Sequence, residues 1–375
     1  MENVKSENRI FEGFKPRLPI VLIFALGGLL GSLTPVFGEV PVFSGVALFV
    51  LASLVFMTAR ELLPIVGIIL PALFAFMMTG DLSAPALYIG VIFTVGATIY
   101  LTLGGRIWAP IAMGAVAYAL GAIAIDPVSA LPALIPVAVG LLAALMLPRS
   151  GLTFATAALT ILSLSAGLML FLLSGGNLST TAELLRDNIA STYAALNSEF
   201  LIITEETAEM LAAYIINVSP GMIFAAISAV IFIALSLANT LFRASGVGDT
   251  IPEEMAKLTL SPLSGIIYLF CFFLSAAFMI EGTDYELAAA VTENIIIALS
   301  LPFTALGFRA VGEFLSNKLL ARFHMRRKIT SLALAFIFLI APSVGFAVFI
   351  SAGVAFSLLP IYRFLFGKLR SRINK

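Results

Sequence analysis

Apolar runs close to twenty residues long follow one another along almost the whole of this sequence. A helix of about twenty apolar residues is what crosses the hydrocarbon core of a bilayer. One such run can be a buried core helix, but here hydrophobic residues make up 61% of the 375 residues and charged residues only 11%, and a water-soluble fold cannot bury so large an apolar share. The sequence therefore predicts an all-α, multi-pass protein of the cytoplasmic membrane.

Charged residues and turn-forming pairs such as Asp126-Pro127 interrupt the runs and predict where one helix ends and the next begins. Cutting the sequence there gives about twelve transmembrane helices in two groups of six. The first group is 19–37, 41–59, 62–80, 84–103, 107–125 and 128–147. The second group is 151–174, 218–242, 262–280, 287–307, 329–349 and 352–367. We accordingly predict an N-terminal six-span region, 1–149, and a C-terminal six-span region, 150–375.

The distribution of basic residues predicts how these spans are oriented, because lysine and arginine are retained in short cytoplasmic loops. If the N-terminus is cytoplasmic and the spans alternate, only Arg186 of the 21 lysines and arginines falls outside. The acidic residues Glu39, Asp81 and Asp126 fall in the opposite loops. Both termini are therefore predicted to be cytoplasmic.

One sizeable segment, residues 175–217, lies between spans and is predicted to be extracytoplasmic. It carries six acidic residues and the single base Arg186. Apolar residues, including Leu184, Leu185 and Ile189, recur at helical spacing, which predicts one or two amphipathic helices over the outer face. Such helices form either a solvated cap or a lid over an outward-facing cavity.

On the cytoplasmic side, apolar and polar residues alternate at near-helical spacing over 311–323, and the basic cluster Arg326, Arg327 and Lys328 follows. This pattern predicts an interfacial helix whose basic cluster contacts lipid headgroups of the bilayer. Docking of a cytoplasmic partner on the same surface is the alternative.

The sequence lacks the residue patterns that catalysis needs. It has no GxxxxGK[ST] phosphate loop, no HExxH and no GxSxG, and His324 and Cys271 are its only histidine and cysteine. One imidazole and one thiol cannot form a multi-ligand metal site from these residue types. We therefore predict a protein that is not an enzyme, with no metal and no cofactor. The zero net charge gives no reason to expect nucleic acid as a partner.

Polar side chains within spans are few, and each is a candidate site residue because a polar group in lipid needs a partner. Glu293 and Asn294 lie in the span 287–307, and Asn239 lies late in the span 218–242. Glu293 and Asn294 face a polar, ligand-binding cavity or reach the outer interface. Asn239 binds a ligand or hydrogen-bonds another helix. This scarcity argues against a proton pump with a buried carboxylate relay, and it fits a small, largely apolar ligand or no transport role.

Small residues recur on several predicted spans, and Gly27 and Gly31 form a small-xxx-small face in the first. Such a face lets two helices approach closely. It serves either to dock another membrane subunit or to pack helices within the chain.

Short sequence features at the ends of spans in the second group resemble those of the YybS-like family of bacterial membrane proteins of unknown function. The features are Ser219-Pro220-Gly221-Met222 opening a span, then Leu241-Phe242-Arg243, Ile251-Pro252 and Ser261-Pro262, and the interfacial stretch from Lys318 to Lys328. The resemblance covers residues 150 to 375. The first six spans match only as a hydrophobic block.

That family is similar to the substrate-binding membrane subunits of energy-coupling-factor transporters, six-span proteins that take a ligand from outside and are driven by separate ATPase and coupling subunits. The resemblance implies binding or transport of a small molecule, with membrane or cytoplasmic coupling subunits as partners. Two alternatives stay open. One is a non-catalytic scaffold of a cell-envelope assembly, and the other is a secondary carrier built of two six-span halves.

Overall fold

The computed structural model is helical wherever regular structure is described. It describes residues 16–58, 62–173, 176–195, 204–245, 255, 257–281, 286–319, 330, 333–334, 336–337 and 340–373. The helices in these ranges are α1 (Leu18–Phe37), α2 (Pro41–Thr58), α3 (Leu62–Thr79), α4 (Ser83–Leu103), α5 (Trp108–Ala124), α6 (Ile135–Leu173), α7 (Leu178–Ala195), α8 (Glu205–Ala244), α9 (Pro262–Glu281), α10 (Glu286–Phe314) and α11 (Pro342–Ile373). A 3-10 turn, Leu131–Leu134, precedes α6, and a π turn, Leu315–Leu319, follows α10.

Six helical stretches of the described residues are long and apolar enough to cross a membrane by length and composition. They are Leu18–Phe37, Ser83–Leu103, Leu131–Met169, Glu206–Arg243, Leu287–Asn317 and Ser343–Phe364. Shorter apolar helices are Pro41–Met57, Gly67–Met77, Trp108–Ala124 and Pro262–Phe278. The prediction of an all-helical fold is thus confirmed, whereas the count of about twelve spans is not.

Helix α6 shows why the two counts differ. It runs for 39 residues, but Gly151 has φ 74° and ψ 176°, which interrupts the helix there. Glycine reaches this left-handed region without the steric cost that a Cβ imposes. The sequence places a boundary between 147 and 151, so the predicted spans 128–147 and 151–174 correspond to the two halves of one kinked helix.

The chain forms two compact units. Unit 1 comprises residues 1–160, 228–259 and 308–347, and unit 2 comprises 161–227, 260–307 and 348–375. Unit 1 therefore includes the whole of the predicted region 1–149, together with later segments.

Helix α4 is the buried centre of unit 1. Its aromatic residues Phe93 and Tyr100 contact Phe24 of α1 edge to face, with ring centroids 6.1 Å and 5.3 Å apart. Tyr100 also contacts Phe242 of α8 at 5.2 Å, and all four rings are at most 5% exposed. Aromatic rings favour such offset and edge contacts, so this cluster fixes α1 and α8 on α4.

Unit 2 has a smaller core around Tyr268, Phe303 and Val354, which come from α9, α10 and α11. Within it α10 crosses α11 at Gly307 and Gly353. A Cβ on Gly307 would overlap the carbonyl oxygen of Phe349, and one on Gly353 would overlap that of Phe303. The two backbones therefore touch at a crossing that only glycine permits.

Three of the prolines inside helices share one feature: a nearby hydroxyl bonds the carbonyl that the proline leaves free. A helical proline has no N–H to offer the carbonyl four residues earlier, so that oxygen loses its partner. In each case a side-chain hydroxyl donates to the freed oxygen, which avoids the cost of an unpaired acceptor among apolar residues. The pairs are Thr34 to Gly31 (2.7 Å) before Pro35, Tyr88 to Gly67 (3.0 Å) for Pro71, and Ser219 to Ile216 (2.8 Å) before Pro220.

Two of the interruptions between apolar runs, at Asp81 and Asp126, form turns in which the carboxylate bonds the backbone. Asp126 accepts hydrogen bonds from the backbone N–H groups of Val128 (2.8 Å) and Ser129 (2.9 Å). Hydrogen bonds from the side chain and then the backbone of Ser129 hold the pKa of the Asp126 carboxyl below its ordinary value. The Ser83 hydroxyl lowers the pKa of Asp81 in the same way. These acidic residues stabilise the turns because they accept hydrogen bonds from N–H groups just before or at the start of the next helical stretch.

Candidate functional site at the α8–α10 junction

At Pro220 in α8, one side chain of a second helix bonds backbone groups on both sides of the proline. The side-chain amide of Asn294 in α10 donates to the carbonyl of Asn217 at 2.7 Å, and its oxygen accepts from the N–H of Gly221 at 2.5 Å. Asn217 and Gly221 are four residues apart, so they are the pair that bond to each other in a regular α-helix. Asn294 therefore bridges one backbone pair of α8.

Gly221 makes this bridge sterically accessible. A Cβ at this position would lie 2.7 Å from the carbonyl oxygen of Asn294 and 2.9 Å from its Cα. Those atoms belong to the α10 backbone and cannot rotate away. The Pro-Gly pair in the sequence thus has two roles at one point: proline frees an acceptor, and glycine lets the neighbouring helix approach.

The bridging side chain has no spare hydrogen-bonding group of its own. Its amide nitrogen also donates to Ala290 within α10 at 2.7 Å, so both N–H bonds and the oxygen of Asn294 have partners. Asn294, predicted as a ligand-binding residue, is placed where it joins two helices. Its role at this junction is to position them.

Glu293 lies beside Asn294 and is partly exposed. It interacts electrostatically with Tyr214 of α8, whose side chain is 48% exposed. Tyr214, Asn217 and Gly221 occupy positions i, i+3 and i+7, which share one face of α8. Among the described residues, no other side chain forms a hydrogen bond or ion pair with Glu293.

Asn239, the third predicted ligand-binding residue, belongs to unit 1, whereas Asn294 belongs to unit 2. It is 5% exposed, and its amide nitrogen donates to the carbonyl of Met255 at 2.6 Å. Within the described part of the chain its side-chain oxygen is buried without a partner. Asn239 thus ties α8 to the segment that follows it.

Two side chains that the sequence did not single out hold the same segment. The Thr153 hydroxyl donates to the carbonyl of Thr259 at 2.8 Å and accepts from its N–H at 2.9 Å. Arg309 donates to the carbonyl of Leu258 at 3.4 Å and bonds Glu313 at 2.9 Å. Isolated threonines in apolar spans give no pattern from which such long-range contacts can be read.

The glycines predicted to dock another helix face helices of the same unit. A Cβ on Gly27 would lie 2.6 Å from the Phe93 ring and 2.8 Å from Leu54. One on Gly31 would lie 2.6 Å from the carbonyl oxygen of Gly90. This is the intramolecular packing that the sequence left open beside docking of a subunit.

The predicted headgroup contacts Arg326, Arg327 and Lys328 lie outside the described residues. Of the segment 175–217, which is predicted to be extracytoplasmic, the structure describes α7 and the start of α8, which Thr204 caps by accepting a hydrogen bond from the N–H of Thr207 at 3.2 Å. Leu184 and Leu185 of α7 are 59% and 49% exposed.

In the described ranges, no three or more His, Cys, Asp or Glu side chains come together in a group that could hold a metal ion. Cys271, in α9, is buried and free.

No protein-family model matches the sequence, and no curated protein or solved structure matches it either. The resemblance to the YybS-like family therefore stays a prediction from the sequence.

Proposed function

We propose that this chain is an integral protein of the cytoplasmic membrane that binds a small, largely apolar solute at the α8–α10 junction, as a component of a transport system. The observation that carries the proposal is the proline site of α8, where the side chain of Asn294 in α10 bonds the backbone groups of Asn217 and Gly221. Helices interrupted by glycine and proline near membrane depth mark solute sites in many transporters.

The distribution of apolar side chains supports placement in a bilayer. Large residues point outward on both units, including Phe49 (75% exposed), Ile123 (85%), Phe270 (65%) and Phe273 (66%). An open apolar groove of about 600 Å³ between α2 and α3 adds Phe56 and Ile69 to this surface. Each of these side chains costs free energy in water, at about 25 cal/mol per Å² of apolar surface, and none in lipid.

About twelve crossings remain our proposal for the topology. The kink at Gly151 lets α6 supply two, and the shorter apolar helices supply others at the lower limit of length. Helix α8 has 40 residues and is about 60 Å long, roughly twice the hydrocarbon thickness, so its acidic start extends beyond the membrane.

The proposed orientation places the junction on the outer side. With cytoplasmic termini, α8 enters the membrane from outside near residue 218, and Pro220 lies just within that boundary. Glu293 lies about 10 Å from the outer start of α10. A solute arriving from outside would therefore meet the junction first, and coupling subunits would act from the cytoplasmic side.

The exposed outer helix α7 favours a second candidate, a scaffold that contacts envelope partners. Its residues Leu184 and Leu185 are apolar and solvent-facing, next to the acidic residues Glu183 and Asp187. A scaffold would retain its partners when the junction is altered and lose them when 180–215 is deleted.

The test is thermal stabilisation of the purified chain by a panel of cationic, neutral and anionic apolar solutes. A solute that binds only the folded state stabilises it by about 1.4 kcal/mol at ten times its Kd. We expect at least one solute to raise the Tm of the wild-type protein, and Asn294→Ala to abolish the shift. Ser165→Ala is the matched control, since that exposed hydroxyl bonds only within its own helix. If no class of solute raises the Tm, the proposed function is wrong.

A further inference from the structure

Glu293 is a charged side chain at the junction for which the described residues provide no hydrogen bond or ion pair. Asn294 beside it makes three of the four hydrogen bonds open to its side chain, whereas Glu293 has only its electrostatic interaction with Tyr214 among the described residues. An ionised carboxylate is an acceptor at both oxygens and offers no donor. A suitable partner for the Glu293 carboxylate is therefore a positively charged group or an N–H donor.

The described residues of unit 2 supply no such cation at this place. The base that the sequence assigns to the outer side, Arg186, lies on the exposed surface of α7. An acidic residue held in a mainly apolar span without a basic partner is a default candidate for binding a positively charged solute.

Tyr214 adds a second recognition element next to the carboxylate. Nearly half of its side chain is exposed, and it shares one face of α8 with Asn217 and Gly221, which Asn294 of α10 contacts. The face of a tyrosine ring attracts cations, and a carboxylate beside an aromatic ring suits an organic ammonium or phosphonium group. The neighbouring helices are apolar and suit the rest of such a molecule.

We infer that the solute is a lipophilic organic cation, which the Glu293 carboxylate binds by charge and the Tyr214 ring contacts by its face. Asn294 and Gly221 act as positioning residues, because the bridge between them holds α8 and α10 together at this point. The inference rests on the proposed function and specifies its ligand.

The test uses the full chain in nanodiscs of phosphatidylcholine, which carries no net charge. The probes are tetraphenylphosphonium and tetraphenylborate, which have similar size and shape and opposite charge. Equilibrium dialysis with radiolabelled probe measures binding. We expect saturable binding of tetraphenylphosphonium, weakened about tenfold or more by Glu293→Gln and several-fold by Tyr214→Leu, with Tyr214→Phe close to wild type.

Glu209→Gln is the matched control, because it removes one exposed carboxylate from the same end of α8 and should leave binding unchanged. Equal binding by wild type and Glu293→Gln, no saturable binding of the cation, or a preference for tetraphenylborate would overturn the inference. If a neutral or anionic solute of the wider panel binds and depends on Asn294, the proposed function stands while the cation is wrong. If no solute binds, both fall.

Discussion

The proline sites of α1 and α8 share a local hydrogen bond but differ in what the neighbouring helix contributes. In both, the residue before the proline donates a hydroxyl to the freed carbonyl, from Thr34 at Pro35 and from Ser219 at Pro220. In α1 that bond lies within the helix, and α4 packs against the break through Gly90. In α8 the next backbone pair is bridged by Asn294 of another helix.

This difference separates a break that serves packing from one that couples two helices. A break satisfied within its own helix is insensitive to movement of its neighbour. A proline site satisfied by a neighbouring side chain changes its hydrogen bonds when that neighbour moves, and this holds at Pro220 and also at Pro71, where Tyr88 of α4 bonds the Gly67 carbonyl.

The largest effect is expected from replacing the glycine at each helix crossing by alanine. Gly221→Ala should destabilise the protein by about 3 kcal/mol, because the new Cβ meets the α10 backbone and also disturbs the bridge. Gly31→Ala should cost about 2 kcal/mol from overpacking against the Gly90 carbonyl. The measurement is thermal or denaturant unfolding in detergent.

Gly167→Ala and Gly45→Ala are the controls for these substitutions. A Cβ at Gly167 meets nothing within 4 Å, and one at Gly45 lies 3.8 Å from Leu82. Both should be neutral or slightly stabilising, because alanine favours the helix over glycine. If Gly221→Ala behaved like Gly167→Ala, the close approach at the junction would be refuted.

A smaller loss is expected from removing the polar side chain that faces each break. Asn294→Leu removes two hydrogen bonds between α8 and α10, to the Gly221 N–H and the Asn217 carbonyl, and should cost about 2 kcal/mol. Thr94→Val removes only the 3.0 Å bond to the Gly28 carbonyl and should cost about 1 kcal/mol. Unfolding free energies of the two variants, compared with wild type, give the ranking. A larger loss for Thr94→Val would reverse the comparison.

The smallest effects concern the hydroxyls that the two breaks share. Ser219→Ala and Thr34→Val should each cost about 1 kcal/mol, since each leaves a proline-freed carbonyl without a donor. In a Pro220→Ala background the cost of Ser219→Ala should fall, because the Ile216 carbonyl regains a backbone partner. A double-mutant cycle measures this coupling.

Ser165→Ala provides the reference for that cycle, as its hydroxyl bonds the Ile161 carbonyl, which has no proline four residues later. Its cost should be near zero with no coupling to Pro220. Additive costs for Ser219 and Pro220 would mean that the hydroxyl does not serve the freed carbonyl.

Local features of the junction could be read from the sequence. Ser219-Pro220-Gly221 signals a break with a local donor and room for close approach, and Glu293 and Asn294 stand out as polar residues in a span. Which of them contacts the break could not be read, because Asn294 is 73 residues from Gly221 and nothing local relates the two helices. The roles of Thr153 and Tyr88 were missed for the same reason.

The sequence by itself determined that this chain is helical and rich in helices long enough for a bilayer, because hydropathy and helix-breaking residues act locally. Tertiary structure alone decided which polar groups meet. It joined Asn294 to both sides of Pro220 and, among the described residues, gave the neighbouring Glu293 no hydrogen bond or ion pair. It also turned Gly27 and Gly31 toward helices of their own unit. Hydrogen bonds and close contacts between helices depend on how distant segments pack. The spacing of residues along one helix does not identify the helix that packs against it.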